Sequence, residues 1–239
     1  MAKEEILWPG GPSFLQASHA PMTTDSILLA DFARPGRGGR GIDLGCASGL
    51  LSLLLLWREE TLHMTGLELL EDAAALAAEN MARNGLADRS RMLRGDIRQA
   101  RALFPAGSFD FAISDPPYFP ADRGARSPDE ARATARSEGS CSLEELLDAA
   151  RWLLRTGGRL WLVHRPERLA ELFTGMSQKG LEPKRLRLVQ RSADSAPGLA
   201  LIEGRRGGGP GLKIEAPLLL CGPDGGESAE LRRIYHREK

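Results

Sequence analysis

The chain of 239 residues is 42% hydrophobic and 27% charged, a size and balance that suit one α/β domain with a full core better than two small ones. Aromatic residues contribute only 5%, so the core must rest on Leu, Ile, Val and Ala. Formal net charge is zero, so the molecule as a whole does not advertise a polyanionic partner. Residues 1–11 carry both charge signs and no apolar run, against a signal peptide. The longest apolar stretch, residues 50–57, is much too short to span a bilayer. A soluble cytoplasmic protein with no membrane partner is expected. Cys46, Cys141 and Cys221 are sparse and odd in number, giving neither a disulfide framework nor metal-ligand spacing. His19, His63, His164 and His236 form no paired motif, so no metal is expected.

In chain order, residues 41–44 form a short apolar run that ends in a glycine-rich turn, and 49–58 read as a buried helix. Residues 62–67 suggest a second strand. The alanine-rich stretch 71–84 has helical spacing, and Gly85 supplies its stop. A third strand at 90–93 and a helix at 97–104 follow. Residues 109–114 read as a buried fourth strand that runs straight into Asp115-Pro116-Pro117-Tyr118. Proline cannot donate to a sheet ladder, so the strand must end there. Residues 119–140 are polar and lack apolar periodicity; a loop that long inside a compact domain is usually functional or mobile. Ser142-x-x-Glu145 is a capping box that opens a helix to 154, with Gly157-Gly158 as its stop. Residues 159–164 form the fifth strand, 166–177 a helix with proline in its first turn, and 185–190 with 199–203 a terminal hairpin. Strand-like runs alternating with helical ones predict a parallel sheet covered on both faces.

The turn Asp43-Leu44-Gly45-Cys46-Ala47-Ser48-Gly49 lies between a strand and a helix. Glycines there allow a tight turn and let a ligand approach the backbone near a helix N-terminus. Glu68 ends the next strand, where a carboxylate can hold two ribose hydroxyls. Asp96, after the third strand, can accept a hydrogen bond from an adenine amino group. Any one of these acids alone is more often a solvated surface residue. Three acids at the carboxyl ends of three successive strands point to a nucleoside-bearing cofactor, because ligands of open α/β sheets bind there. A dinucleotide oxidoreductase is disfavoured, since the Gly-x-Gly-x-x-Gly pattern is missing.

Ser114-Asp115-Pro116-Pro117-Tyr118 carries the chemistry. An exocyclic amine is a poor nucleophile because its lone pair is delocalised into the ring. The Asp115 side chain and the Pro116 carbonyl can accept its two hydrogens while the nitrogen rehybridises. Pro116 and Pro117 fix φ and so pre-organise the acceptors, and Tyr118 can stack on the base. In isolation Asp115-Pro116-Pro117-Tyr118 is equally a rigid turn packed with an aromatic; its place at the end of the fourth strand favours the catalytic role.

With these residues in view, the sequence resembles the class I S-adenosylmethionine-dependent methyltransferases with a small-domain core. More closely, it is similar to the bacterial valine tRNA adenine-N6 methyltransferases. The likeness covers nearly the whole chain: Phe14-x-Gln16, His19 and Thr24-Asp25-Ser26-Ile27-Leu28-Leu29, then 43–51, Glu68, Asp96 and 115–118. It continues through Ser127-Pro128 and Ala131-Arg132 and ends with Gly222-Pro223-Asp224-Gly225 and the 228–235 tail. The resemblance implies a Rossmann-like fold with a mostly parallel seven-stranded sheet, helices on both faces and an antiparallel terminal hairpin. It implies a single domain divided into a lead-in segment (1–39), a catalytic core (40–204) and a C-terminal extension (205–239). It also implies S-adenosylmethionine as cofactor, held by Asp25, Asp43, Gly45, Ala47, Gly49, Glu68 and Asp96, with Asp25 near its amino-acid end.

The implied substrate is the adenosine 3′ of the anticodon in valine tRNA. Two departures stand out. Ala47 replaces the middle glycine of the turn and sets a methyl beside the cofactor, at some cost in affinity. Asp115 stands where Asn is common; a carboxylate still accepts from an amino group. Alternatives are guanine N2 of rRNA, a DNA adenine, a protein glutamine, or a cofactor- or RNA-binding module without catalysis. Six arginines face two aspartates between Arg83 and Arg101, and eight basic residues face three acidic ones between Lys179 and Lys213. These are solvated faces or an RNA-facing patch. Segments 123–136 and 184–206 are the candidates for phosphate contacts.

Overall fold

The computed structural model describes residues 3–16, 22–116 and 141–238. The chain begins with a hairpin, β1 (Lys3–Ile6) and β2 (Ser13–Gln16), and the helix α1 (Thr24–Phe32). The core follows as β3 (Arg40–Leu44), α2 (Leu50–Arg58), β4 (His63–Glu68), α3 (Glu71–Arg83), β5 (Ser90–Arg94), α4 (Ala100–Leu103) and β6 (Phe109–Ser114). It resumes with α5 (Leu143–Leu153), β7 (Leu154–His164), α6 (Leu169–Gln178), β8 (Leu181–Gln190) and β9 (Pro197–Arg206). Two short strands, β10 (Lys213–Ile214) and β11 (Leu218–Leu219), and a helix, α7 (Ala229–Ile234), complete it.

The main sheet has the order β10-β8-β9-β7-β6-β3-β4-β5, with β11 also on β8. Strands β3 to β7 are mutually parallel, while β9 is antiparallel to both β7 and β8. The chain builds outward from β3 through β4 to β5, then returns to add β6 and β7 on the other side of β3. The strand order therefore reverses between β3 and β6, and a crevice opens there at the carboxyl rim.

Successive residues of a strand face opposite sides, and the core divides accordingly. Phe111, Ile113, Trp161, Val163 and Leu201 pack with α1, α2 and α7 on one face. Ala112, Leu160, Leu162, Ala200 and Ile202 pack with α4, α5 and α6 on the other. Burial on both faces explains why these strands read as continuous apolar runs.

The sequence reading needs four corrections. Among the described residues the sheet has nine strands rather than seven, because the C-terminal extension adds β10 and β11 along the edge of β8. A separate two-stranded sheet, β1 with β2, forms in the lead-in segment. The helices placed at 97–104 and 166–177 both begin as 3-10 turns, Ile97–Gln99 and Pro166–Arg168. Gly157-Gly158 does not stop a helix: α5 ends at Leu153 and the glycines lie within β7. Phe109 pairs with Leu154 but Phe111 with Arg159, so β7 carries extra residues against β6, and Gly157 takes φ +79° in that bulge.

The hairpin is fastened by polar side chains of α3 and of its C-cap residue. Buried Asn80 accepts from the Leu15 N–H (2.7 Å) and donates to the Leu15 carbonyl (3.0 Å) and the Ser48 carbonyl (2.9 Å). Asn84 makes the same two-way contact with Ser13. One amide thus ties the lead-in segment to the glycine turn. Asn80→Leu leaves buried backbone groups of Leu15 and Ser48 unpaired, so a loss of about 3 kcal/mol is expected in urea denaturation. A loss below about 0.5 kcal/mol would show that the junction is not holding the fold.

Candidate active site

The crevice between β3 and β6 is floored by the turn 45–49. Gly45 (φ +76°), Ala47 (φ +46°) and Gly49 (φ +83°) are all left-handed, and the Gly45 and Cys46 N–H groups donate to the Leu67 carbonyl (2.9 and 3.2 Å). The turn is thereby fixed to the end of β4. The glycines differ in purpose. A Cβ on Gly49 would lie 3.1 Å from Ala77 Cβ and 3.3 Å from Met81 Cε, so Gly49 serves the packing of α2 on α3. A Cβ on Gly45 would meet nothing nearer than Ile97 Cδ1 at 3.9 Å, so its face is open. Ala47 holds a conformation that costs an L-residue roughly 1–2 kcal/mol; its N–H donates to Glu68 Oε2 at 2.9 Å.

Four carboxylates surround this turn. Asp43 is fully buried. Ser52 Oγ donates to its Oδ2 at 2.9 Å, whereas Oδ1 has no hydrogen bond among the described residues. Burial pushes its pKa up to about 7 against the Ser52 hydrogen bonds, and Asp115 and Glu68 add repulsion. Glu68 is braced on both oxygens, by Ala47 N–H and by Leu70 N–H (3.0 Å). Asp115, half-buried at the end of β6, accepts on Oδ2 from Ser26 Oγ (2.5 Å) and Thr23 Oγ1 (3.2 Å). Burial pushes its pKa up to about 6; the Ser26 bond opposes this, Asp25 reinforces it, and the Thr23 bond opposes it. Asp25 lies in the first turn of α1, within the field of Asp115.

Asp96 caps the turn after β5 and accepts from Arg98 N–H (2.8 Å). The Arg98 guanidinium spans both its oxygens at 2.6–3.0 Å and holds the carboxyl below its usual range. To accept from an adenine amino group, Asp96 must share or exchange this arginine. Pro116 is buried. Pro117 and Tyr118 lie outside the described residues, as do His19, Ser127-Pro128, Ala131-Arg132 and the basic segment 123–136.

The second basic segment is not a free cationic face. Arg185 pairs with Glu203 (2.7 Å) and Glu215 (3.0 Å) and stacks on Phe32. Arg187 pairs with Glu230 (2.7 Å), Lys184 bonds the Gly209 carbonyl, and Arg206 bonds the Leu154 carbonyl. Arg205 and Arg206 end β9, which runs antiparallel to its neighbours, so they sit at the rim opposite the crevice. Exposed Arg191, just past β8, lies on the same rim of the sheet as the crevice, with β9 and β7 between β8 and β6. The arginines between 83 and 101 are mostly exposed, and all but Arg91 have partners among the described residues. Arg83 pairs with Glu79, Arg94 with Glu71 and Arg98 with Asp96, while Arg89 caps carbonyls at the end of α2 and Arg101 stacks on Trp152.

Sequence reasoning gave no role to Ser26, Thr23 or Ser52, the hydroxyls that hold Asp115 and Asp43. The Thr23-x-x-Ser26 cap at the start of α1 was the available signal.

Residues 18–178 match the model of the family described as methyltransferase small domain. The chain belongs to the methyltransferase small-domain family. It is 35% identical over 181 residues, 75% of this chain and 73% of the relative, to a Tolumonas auensis protein named tRNA1(Val) (adenine(37)-N6)-methyltransferase. A Porphyromonas gingivalis protein of the same name is 32% identical over 76% of this chain and 73% of its own. Among solved structures, an Agrobacterium tumefaciens protein described as a predicted O-methyltransferase superposes with TM-score 0.72 at 20% identity, covering 90% and 96% of the two chains. The Streptomyces coelicolor geranyl diphosphate C-methyltransferase, crystallised with S-adenosyl-L-homocysteine, superposes at TM-score 0.57 and 13% identity over 76% and 74%.

The cofactor of this methyltransferase is S-adenosylmethionine, and the crevice suits a cation of that kind. Repulsion among Asp43, Glu68 and Asp115, and a buried Asp43 oxygen without a donor, are both relieved by positive charge. Among the described residues no group of His, Cys, Asp and Glu is arranged to hold a metal, and no helix is long and apolar enough to cross a membrane.

Because the folded pKa of Asp43 exceeds the ordinary aspartate value of 3.8, its protonated form is the one that favours folding. That contribution is complete below the unfolded value and is lost as pH rises through about 7. Asp43→Asn removes the pH-dependent penalty. In ligand-free protein its stability margin over the parent should be about 1–3 kcal/mol larger at pH 8 than at pH 5, from urea midpoints. An equal margin at both pH values would contradict the assignment.

Proposed function

We propose that this methyltransferase places a methyl group on N6 of an adenine in tRNA, the adenosine 3′ of the anticodon of valine tRNA. The observation that carries the reading is the setting of Asp115. Its Oδ2 is filled by two hydroxyl donors, its Oδ1 has no hydrogen bond among the described residues, and it opens the diproline corner beside the acid-rich crevice. The names of the relatives support this choice of substrate.

When bound, S-adenosylmethionine supplies a methyl made electrophilic by its sulfonium, which leaves with the bonding pair on sulfur. Asp43 and Asp25 are assigned to its amino-acid end, Glu68 to its ribose hydroxyls and Asp96 to its adenine amino group. The turn backbone at Gly45 and Ala47 lies alongside. Asp115 Oδ1 and the Pro116 carbonyl accept the two N–H groups of the target amine and so direct its lone pair. As the N–C bond forms, the surplus proton on nitrogen passes to Asp115 Oδ1. A pKa raised to about 6 keeps this carboxylate ionised at neutral pH yet basic enough to take the proton. Tyr118 stacks on the base, worth about 1–3 kcal/mol. An anticodon-loop base is already partly unstacked, which lowers the cost of turning it out. Arg191 and the segment 123–136 are candidate phosphate contacts, and the setting is the cytoplasm.

The test uses labelled cofactor and bulk tRNA from a strain lacking the gene. Label should be recovered as N6-methyladenosine in valine tRNA. Asp115→Ala should lower kcat about 100-fold or more while S-adenosylhomocysteine binding, by calorimetry, stays within a few-fold. Label in N2-methylguanosine, or full turnover by Asp115→Ala, would overturn the proposal.

A further inference from the structure

We infer that Ser26 is a positioning residue for the amine acceptor: with Thr23 it fills Asp115 Oδ2, so that Oδ1 alone is turned to the substrate. The inference rests on Asp115 being that acceptor. A carboxylate offers two equivalent oxygens and roughly four lone-pair directions, so by itself it does not define which oxygen faces the amine. The Ser26 Oγ contact of 2.5 Å falls in the range of hydroxyl-to-carboxylate bonds that are charge-assisted. Thr23 Oγ1 reaches the same oxygen at 3.2 Å and lies 3.1 Å from Ser26 Oγ. Both hydroxyls therefore converge on one side of the carboxylate.

The helix that carries Ser26 is anchored by three residues, from α2, α7 and the C-cap of α7. Arg58 of α2 donates to the Ala30 and Ala33 carbonyls at the end of α1, each at 2.7 Å. Arg233 of α7 pairs with Asp31 at 3.0 Å, and the Tyr235 hydroxyl donates to Thr24 Oγ1 at 3.2 Å. The lead-in helix and the C-terminal extension thus reach the catalytic corner through one serine. Asp25 from α1 faces Asp115 with negative charge, and burial also disfavours the carboxylate, so the hydroxyls are what favours its ionised form. Thr23 also caps α1 by accepting from the Ser26 N–H, which makes Ser26 the cleaner residue to change.

Ser26→Ala removes a donor to the ionised form, so the Asp115 pKa rises and activity that needs the carboxylate fades at a higher pH. With unmethylated tRNA, kcat at pH 7 should fall about tenfold, and the acidic limb of the kcat–pH profile should move up by about one pH unit. Affinity for S-adenosylhomocysteine should stay within twofold, which also reports that the variant folds. Ser26→Thr, which keeps the hydroxyl, should restore most of the rate and the position of the limb. In an Asp115→Asn background, Ser26→Ala should cost several-fold less, because no carboxylate is left to pin. An acidic limb that stays in place overturns the inference, even where Asp115→Asn turns over too slowly for the cycle to be read. So does an equal loss in both backgrounds. Either result with an inactive Asp115→Ala leaves the amine-acceptor reading standing, whereas an active Asp115→Ala removes that reading first.

Discussion

Burying a carboxylate costs several kcal/mol unless something pays that cost back, and this molecule gathers Asp43, Glu68 and Asp115 at one rim of one sheet. Each is braced by neutral donors: Ser52 for Asp43, backbone amides for Glu68, and Ser26 with Thr23 for Asp115. Neutral donors orient a charge without cancelling it. The rim therefore retains a field that favours a cation, and this single imbalance links the fold to methyl transfer from a sulfonium donor.

The fold is arranged to create that imbalance and hold it. The reversal of strand order between β3 and β6 leaves the crevice open, and the left-handed turn at 45–49 presents the bare face of Gly45 to its floor. Asn80 locks that turn to the N-terminal hairpin through the Ser48 carbonyl. The C-terminal extension acts at a distance: its short strands extend the sheet edge, and α7 steadies α1, whose first turn carries the hydroxyls on Asp115. Among the described residues, most arginines of the two basic stretches make intramolecular pairs or carbonyl caps, so an RNA phosphate there competes with those partners.

Much of this was legible in the sequence because it is local. The apolar runs of the central strands, the Asp43–Gly49 turn and the acids at strand ends are set by residues within one element and its cap. The strand at Phe109–Ser114 was placed to the residue, since Asp115-Pro116 must end it. The hairpin at Lys3–Gln16 was not legible, because a charged strand gains its stability from Asn80 and Asn84, far along the chain. Strands of two residues, such as β10, exist only through the edge they meet. Gly157-Gly158 follows α5 as a stop would, yet it serves a bulge between β6 and β7. The Thr23-x-x-Ser26 cap marks a helix start but not the contact with Asp115, since that partner is 89 residues away. Arg98 is the opposite case: it is two residues from Asp96, but a salt bridge over an assigned ligand contact shows only in three dimensions.

The idea that a cation completes the acid-rich rim is tested most directly by calorimetric titration of the ligand-free protein with S-adenosylmethionine between pH 5.5 and 7.5, in two buffers of different ionisation enthalpy. Positive charge beside Asp43 lowers its pKa from about 7, so binding should tighten as pH rises and release protons most strongly near neutrality. An affinity that is flat across this range, or proton uptake on binding, would contradict it.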